Sequence, residues 1–179
     1  ECGQLIALID DIMKLSRLDE GSEELSAERV DLYDLSQKIL QELTPVAAKR
    51  GISLHMEGGR QTIQGVWRIL HEMIYNLCDN AIKYNKDGGA VTVRVTEEED
   101  QVVVSVEDTG IGISEGQQDR VFERFYRVDK SHSRRVGGTG LGLSIVKHGA
   151  QYHNAQLSLD SEPGAGTTIT LRFPKQSAA

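Results

Sequence analysis

The sequence predicts an α/β fold, a two-layer sandwich in which helices cover one face of a mixed β-sheet. Three observations lead to this prediction. Segments with alternating apolar residues, typical of strands, lie among segments with the apolar spacing of helices. Two of the alternating segments are joined by a short acidic connection, as in a β-hairpin. Hairpins occur where a doubly wound fold would need crossover helices, which favours a mixed sheet covered on one face.

Length and composition are those of one globular domain with a short additional element. The chain has 179 residues, of which 39% are hydrophobic and 26% are charged. Its formal net charge of −7 argues against general nucleic-acid binding, which needs local positive charge. We recognise no apolar run long enough to span a bilayer, no signal peptide and no zinc pattern. Two isolated cysteines are typical of a reducing compartment, so we expect a cytoplasmic domain without membrane contact.

The first 24 residues are predicted to form a separate unit. Apolar residues recur at heptad spacing between residues 2 and 18, as Leu5, Leu8, Ile12 and Leu15. Further apolar residues widen this stripe, which predicts one helix of a multi-helix bundle; a helix packed on its own domain is the alternative. Residues 19–24, acidic and with one glycine, predict a hinge. Residues 25–179 are predicted to form one domain.

The first part of that domain is predicted to contain one helix among short strands. Asp34 or Ser36 is expected to cap the helix, which runs to about Lys49. Pro45 lies in its interior, so a kink or an early break is expected there. The predicted strands are residues 30–32, 52–56 and 62–63.

The second part is predicted to contain three helices and two pairs of strands. The first helix carries two asparagines, and a polar loop separates the second helix from the third. The predicted helices are residues 66–84, 117–125 and 143–152. The predicted strands are residues 91–95, 102–106, 157–159 and 168–173, and the polar loop is 127–137.

The first of these helices has an unusual polar face. Asn76, Asn80 and Lys83 lie at positions i, i+4 and i+7, so two amides and an ammonium share one side. A separate apolar row is predicted to face the core: Ile69, Met73, Leu77 and Ala81. Because asparagine is a poor helix former, we expect the amides to bind a ligand. Two solvated asparagines on an ordinary amphipathic helix are the alternative.

Asp108 follows a predicted strand and precedes Gly110 and Gly112. Its carboxylate is expected to emerge at an edge of the sheet, and the glycines would let the backbone approach a flat ligand closely. A carboxylate there can accept a hydrogen bond from an exocyclic amine, such as that of adenine. A turn closed by the aspartate side chain is the alternative.

Glycines at positions 138, 140 and 142 lead directly into a predicted helix. Backbone amides and the positive end of that helix suit phosphate oxygens, whereas a glycine hinge without a ligand is the alternative. Neither common nucleotide-binding glycine motif is present. The preceding residues, 120–135, are locally basic and are predicted to hold a triphosphate. Three aromatic residues are expected to pin the base of this loop to the core: Phe122, Phe125 and Tyr126.

Four motifs, in this order, resemble the catalytic ATP-binding domain of sensor histidine kinases. They are Asn76-x-x-x-Asn80-Ala81-x-Lys83-Tyr84, Asp108-x-Gly110-x-Gly112, Phe122-Glu-Arg-Phe125-Tyr126-Arg127 and Gly138-Thr-Gly140-Leu-Gly142-Leu. The resemblance covers roughly residues 30–174. It implies the Bergerat-type α/β sandwich of the superfamily that includes gyrase, the ninety-kilodalton heat-shock chaperone and the MutL-type ATPases. In that fold ATP lies between the asparagine helix and a flexible lid.

The resemblance also implies roles for individual residues. Asn76 is expected to coordinate Mg²⁺, with Asn80 and Lys83 on phosphates. Glu72 is expected to polarise a metal-bound water. The remaining residues expected to contact ATP are Arg127 at the γ-phosphate, Asp108 at the adenine amine, Tyr84 near the base, and Gly110, Gly112, Tyr126, Gly138, Thr139, Gly140, Leu141, Gly142 and Leu143. Val66 departs from the acidic residue common at the start of this helix, which leaves its N-cap open. The lid, residues 127–138, is expected to be disordered without nucleotide.

The implied activity is transfer of the γ-phosphoryl group of ATP to a histidine, for relay to a response regulator. The helix at residues 2–18 resembles the second helix of the dimerisation bundle in this family. The first bundle helix, which carries the acceptor histidine, is not found in this sequence, so the domain is expected to depend on it. The parent protein is expected to be a homodimer, with or without a membrane anchor. A superfamily ATPase, an anti-sigma-type serine kinase and an ATP-binding pseudokinase are the alternatives.

Overall fold

The computed structural model describes residues 26–128 and 139–175. The described strands are β1 Glu28–Asp31, β2 Ser53–Gly58, β3 Thr62–Gly65, β4 Ala90–Glu98, β5 Gln101–Asp108, β6 Gln156–Glu162 and β7 Gly166–Pro174. The described helices are α1 Leu32–Ala48, α2 Trp67–Lys83, α3 Glu115–Gln118 and α4 Gly142–Tyr152. None of these helices has the length and apolarity needed to cross a bilayer. The predicted bundle helix, the hinge and most of the predicted lid lie outside the described residues.

A five-stranded mixed sheet forms one layer of the domain. Its strand order is β2-β4-β5-β7-β6. The strands β2 and β4 are parallel, and all other neighbours in the sheet are antiparallel. The short strands β1 and β3 form a separate antiparallel pair. The prediction of a mixed sheet with hairpins is confirmed.

Alternating side chains give the sheet one apolar face and one polar face. On β4, Val91, Val93 and Val95 are fully buried, whereas Arg94 lies on the opposite face. There its guanidinium pairs with the carboxylate of Glu57 on β2 at 2.8 Å. The helices α1, α2 and α4 pack against the strands and cover the apolar face. The predicted two-layer α/β sandwich is confirmed.

Helix α2 packs against α1, α4 and the sheet. Its predicted apolar row is buried, with Ile69, Met73, Leu77 and Ala81 each at most 5% exposed. An added Cβ at Gly149 of α4 would lie 2.5 Å from Sδ of Met73, so glycine allows the two helices to approach closely. This close packing fixes α4 relative to the polar face of α2.

The first turn of α2 is capped by the side chain of the residue that follows α4. Val66 is the N-cap residue and provides no side-chain cap, but its N–H donates to Nε2 of His153 at 3.1 Å. Nδ1 of the same ring lies 2.9 Å from the carbonyl oxygen of Gly149. A carbonyl oxygen only accepts, so the proton is on Nδ1 and the imidazole is neutral. Burial lowers the pKa of His153, which favours this neutral form.

Helix α1 begins earlier than predicted. Asp31, rather than Asp34 or Ser36, is the N-cap, and its Oδ1 accepts two first-turn backbone N–H groups at 2.9 and 3.1 Å. Ser36 is buried inside the helix, where its hydroxyl donates to a carbonyl oxygen one turn earlier. The helix continues past Pro45, so the early break expected there does not occur.

The helix predicted at residues 117–125 is wrong in its bounds. Helix α3 ends at Gln118, and turns follow it. Phe125 cannot continue a helix, because its φ is +63° and its N–H donates to the carbonyl oxygen of Gly140 at 2.9 Å. Phe125 is also 57% exposed, so it does not pin this segment to the core as expected. The buried residue of the segment is Val121.

Candidate functional site

The polar face of α2 meets the first residue of α4. Nδ2 of Asn76 donates to the backbone carbonyl oxygen of Glu72 at 2.8 Å. With this bond formed, the Oδ1 atom of Asn76 faces α4. An added Cβ on Gly142, the first residue of α4, would lie 2.9 Å from that oxygen. The asparagine motif and the glycine motif, which are far apart in the sequence, therefore meet in the fold.

The N-terminal end of α4 lies beside Asn76. The N-cap residue Leu141 makes no side-chain cap, and its own N–H is bonded to the hydroxyl of Thr139 at 3.3 Å. The first N–H groups of a helix lack partners within the helix, and the dipole makes this end positive. With the amide oxygen of Asn76 beside it, this end offers donors for an anion and one acceptor for a cation.

Gly140 and Gly142 are needed for different reasons. The φ of Gly140 is +77°, and an added Cβ there would lie 3.0 Å from the backbone of Phe125. Glycine at this position thus lets the segment after α3 pack against the start of α4. At Gly142, a side chain would displace the amide of Asn76. The third glycine of the motif, Gly138, lies outside the described residues.

Lys83 is held by an ion pair within α2. Its Nζ lies 2.5 Å from Oδ2 of Asp79, one turn earlier, and both side chains are partly buried. Asn80 is half-buried between Asn76 and Lys83 on the same helix, and its backbone carbonyl accepts the N–H of Tyr84 at 3.0 Å. To contact a phosphate, Lys83 has to share or leave its bond to Asp79.

Asp108 is the last residue of the central strand β5, so it lies where that strand ends, as predicted. The strand β5 lies between β4 and β7, because the last strand of the chain adds beside it. Oδ1 of Asp108 accepts the backbone N–H of Gly110 at 2.8 Å, so the side-chain-closed turn is present. Burial raises the pKa of Asp108 to about 6, although the N–H groups of Gly110 and Thr167 favour the carboxylate.

The two glycines after Asp108 contact protein backbone. An added Cβ on Gly110 would lie 2.4 Å from the carbonyl oxygen of Tyr84, which accepts the N–H of Ile111 at 3.1 Å. Gly112 has a φ of +69°, and its Cβ would lie 2.0 Å from the carbonyl oxygen of Glu162. The glycines therefore let the turn approach α2 and the β6–β7 hairpin. They were expected instead to let the backbone approach a flat ligand.

Asn85 belongs to the candidate site, although it is not part of any of the four sequence motifs. It is only 4% exposed. Its Nδ2 donates to the carbonyl oxygen of Ala90 at 2.9 Å, and its Oδ1 accepts the hydroxyl of Thr109 at 3.2 Å. The amide thus joins the end of α2 to the turn that begins at Asp108. Its setting, Asn-Lys-Asp-Gly-Gly, has ordinary loop composition and gave no signal of burial.

Arg127 has a buried guanidinium with unsatisfied donors. Within the described ranges, its Nε and Nη2 atoms have no hydrogen-bond acceptor and no contact with solvent. Unsatisfied buried donors are unfavourable, so this position favours an acceptor or anion. The neighbouring Tyr126 ring is covered by the guanidinium of Arg120, 4.3 Å from its centroid. A nucleotide contact of Tyr126 stays a prediction.

One position among the described residues suits a magnesium ion. These residues contain no group of three or more His, Cys, Asp and Glu side chains that could hold a metal. Oδ1 of Asn76 is a hard oxygen beside a positive helix end, and Mg²⁺ is commonly held by one or two protein oxygens together with phosphates and water. Glu72 orients Asn76 through its backbone carbonyl. Its predicted action on a metal-bound water is not tested by this contact.

Known protein sequences resemble this chain over most of its length. A sequence model of the family described as histidine kinase-, DNA gyrase B- and HSP90-like ATPase matches residues 65–177. The chain is 38% identical over 177 residues to the sensor-like histidine kinase SenX3 of Mycolicibacterium smegmatis. This match covers 98% of the chain and 46% of SenX3, so the chain spans about half the length of that relative.

Solved structures of similar proteins share the fold. Full-length ShkA in complex with AMPPNP superposes with a TM-score of 0.84 and 28% identity, over 98% of this chain and 36% of that one. The mycobacterial sensor histidine kinase MprB gives a TM-score of 0.73 and 28% identity, over 83% of this chain and 97% of that one. The similarity therefore includes both the sheet and the helices that carry the motifs.

Proposed function

Because the chain belongs to the family of histidine kinase-, DNA gyrase B- and HSP90-like ATPases, we propose that it is the catalytic domain of a two-component sensor histidine kinase. The domain binds Mg-ATP and transfers the γ-phosphoryl group to a histidine outside this sequence. The relatives with which it aligns are named sensor histidine kinases, which supports this activity over the ATPase and chaperone branches of the family.

The observation that carries the proposal is the contact between Asn76 and the first residue of α4. It places an amide oxygen, which suits a metal ion, beside backbone donors, which suit phosphate oxygens. Phosphoryl transfer leaves little covalent chemistry to the protein and depends on positioning and charge neutralisation. This arrangement supports the proposal that the site holds a metal-bound phosphate group.

Each polar group of the site has a proposed role. Asn76 holds Mg²⁺, which neutralises phosphate charge when bound. Lys83, released from Asp79, contacts phosphate oxygens together with Asn80. Arg127 donates its unsatisfied N–H groups to the γ-phosphate, where negative charge is concentrated.

Recognition of the base is assigned to the other side of the site. The carboxylate of Asp108 accepts a hydrogen bond from the adenine amino group, with Tyr84 nearby.

During transfer an imidazole nitrogen of the acceptor forms the new bond to phosphorus, while the bond from the γ-phosphorus to the bridging oxygen breaks and ADP leaves. A response regulator then accepts the phosphoryl group on an aspartate. The parent protein works as a cytoplasmic homodimer, anchored to a membrane or free, and does not bind nucleic acid.

Calorimetric titration with ATP, with and without magnesium, tests the binding step. We expect clear binding with magnesium and much weaker binding without it. Lys83→Met should weaken Mg-ATP binding by about tenfold, as expected for loss of one charge-assisted contact. Lys38→Met, at an exposed lysine on α1, is the matched control and should bind like the parent. If the folded parent fails to bind Mg-ATP, the proposed function is wrong.

The chemistry of the phosphorylated acceptor tests the transfer step. The domain is mixed with a separately prepared dimerisation bundle and labelled ATP. An acid-labile, base-stable phosphoprotein supports histidine transfer. An acid-stable product indicates a serine kinase instead, and binding without any product indicates a pseudokinase.

A further inference from the structure

One side chain from outside α2 holds the C-terminal end of that helix. Arg50 lies in the turn between α1 and β2, and its side chain is 34% exposed. Its guanidinium donates four hydrogen bonds: Nε to Oδ1 of Asp87 at 2.9 Å, Nη1 to the carbonyl oxygens of Ile82 and Lys83 at 2.7 and 2.9 Å, and Nη2 to the carbonyl oxygen of Asn85 at 2.7 Å. The backbone carbonyl of the same residue accepts the N–H of Gly88 at 2.9 Å.

These bonds satisfy carbonyl groups at and just after the end of the helix. The last carbonyl groups of a helix have no partner within it, and they form the negative end of its dipole. The guanidinium places a permanent positive charge at this end and reaches three carbonyl oxygens at once, which suits its planar fork of donors. Four of its five N–H donors are used in this way, so the side chain is committed to the protein and is not a free anion site.

The segment held by Arg50 connects directly to the proposed base-binding turn. The carbonyl oxygen of Tyr84 accepts the N–H of Ile111 at 3.1 Å, and the buried amide of Asn85 accepts the hydroxyl of Thr109 at 3.2 Å. The same segment includes Lys83, the proposed phosphate contact. One guanidinium thus anchors the stretch that links the phosphate side of the site to the base side.

We propose that Arg50 is a positioning residue for nucleotide binding, which fixes residues 82–88 relative to the turn at Asp108 without touching the nucleotide. This inference rests on the proposed function. Without Arg50, the carbonyl groups at the end of α2 would turn toward water. Lys83 and Tyr84 would then sample several positions, and ATP binding would have to order them.

The test compares Arg50→Met, Arg50→Lys and two controls in the same domain. Methionine keeps much of the apolar stem and removes all donors, whereas lysine keeps the charge and lacks the fork. Arg60→Met removes an exposed arginine, 74% accessible, whose ion pair with Asp34 includes none of the proposed site residues. Asp87→Asn neutralises the exposed partner of Arg50 and keeps an acceptor oxygen.

We expect Arg50→Met to weaken Mg-ATP binding by about tenfold or more, which is about 1.4 kcal/mol. Arg50→Lys should lie between this variant and the parent. The Arg60 and Asp87 variants should stay within about twofold, because exposed ion pairs contribute little. In Arg50→Met, amide hydrogen exchange should speed up at Asn85 and Ile111 before it changes in β6 and β7.

Two results would overturn the role of Arg50 and leave the proposed function intact. One is an Arg50→Met variant that binds Mg-ATP as tightly as the parent. The other is a uniform increase in amide exchange across the domain, which would indicate general stabilisation rather than positioning. If Arg50→Met does not fold, Arg50→Lys decides by the same two measurements. Failure of the parent to bind Mg-ATP would instead remove the proposed function itself.

Discussion

Replacing Asp108 by asparagine is expected to stabilise the empty domain while weakening nucleotide binding. The carboxylate is partly buried, and this burial raises its pKa to about 6 from the ordinary 3.8. Asparagine keeps the oxygen that accepts the N–H of Gly110, and it removes the charge whose burial is unfavourable. In the proposed complex, however, its NH₂ group would face the adenine amino group with no acceptor.

The size of the effect follows from the displacement of the pKa. Each pKa unit corresponds to about 1.4 kcal/mol. A rise of the pKa from 3.8 to about 6 therefore means that the ionised carboxylate destabilises the fold by roughly 3 kcal/mol at neutral pH, as an upper bound. Partial solvation of the carboxylate reduces this to about 1–3 kcal/mol. The folded form binds the proton more tightly than the unfolded form. The free energy of unfolding that protonated Asp108 contributes is therefore fully present below pH 3.8 and is lost as the pH rises through about 6.

Urea unfolding of the parent and of Asp108→Asn between pH 5 and pH 8 measures this contribution. The stability of the variant relative to the parent should increase across this range and level off above about pH 7. Calorimetry at pH 7.5 should show about tenfold to a hundredfold weaker Mg-ATP binding, from loss of a charge-assisted hydrogen bond. A stability difference that does not change with pH would refute the stated effect of burial. Unchanged ATP affinity would refute the assignment of Asp108 to the base.

Three further predictions concern other parts of the site. His153→Phe keeps an aromatic ring but removes the acceptor for the N–H before α2, so stability at pH 8 should fall by about 1–2 kcal/mol in urea unfolding. The parent should lose stability as the pH falls through 6.5, where unfolded histidine gains its proton, and the variant should lose less. Gly142→Ala should displace the Asn76 amide and reduce the magnesium dependence of ATP binding, whereas Gly116→Ala, whose added Cβ has open space, should bind like the parent in the same titration. Arg127→Met removes unsatisfied buried donors, so thermal unfolding should show an empty domain that is more stable by about 1 kcal/mol. Calorimetry should show weaker Mg-ATP binding by the same variant. If stability and Mg-ATP affinity both fell, or both rose, the assignment of Arg127 would be contradicted.

Local patterns were sufficient to predict most of the fold. Alternating valines identified β4 and β5, because alternate side chains of each strand face the core, although Val103 on the opposite face of β5 is also buried. The spacing of apolar residues placed α2 within one residue of its observed bounds at both ends. The start of α1 was missed because three nearby residues, Asp31, Asp34 and Ser36, all have suitable capping side chains. The end of α3 was missed because the left-handed backbone of Phe125 depends on a partner distant in sequence, Gly140.

The motifs of the candidate site were visible in the sequence, but the residues that hold them in place were not. Arg50, Asn85 and His153 act through hydrogen bonds to backbone groups that lie far away in the chain or in a neighbouring turn. A single side chain in a loop gives no periodic pattern, so such contacts become apparent only when the elements are packed. The neighbours of the strand that ends at Asp108 were not predictable for a related reason, since strand order depends on where β7 is inserted.

The place of β7 in the sheet has a consequence for synthesis of the protein. Among the described strands β7 is translated last, yet it lies between β5 and β6. Until residues 166–174 emerge, β5 has an open side, and the nascent chain exposes unpaired backbone groups that invite pairing with other chains. Translation pauses or truncations shortly before Gly166 should therefore yield an aggregation-prone chain that depends on chaperones.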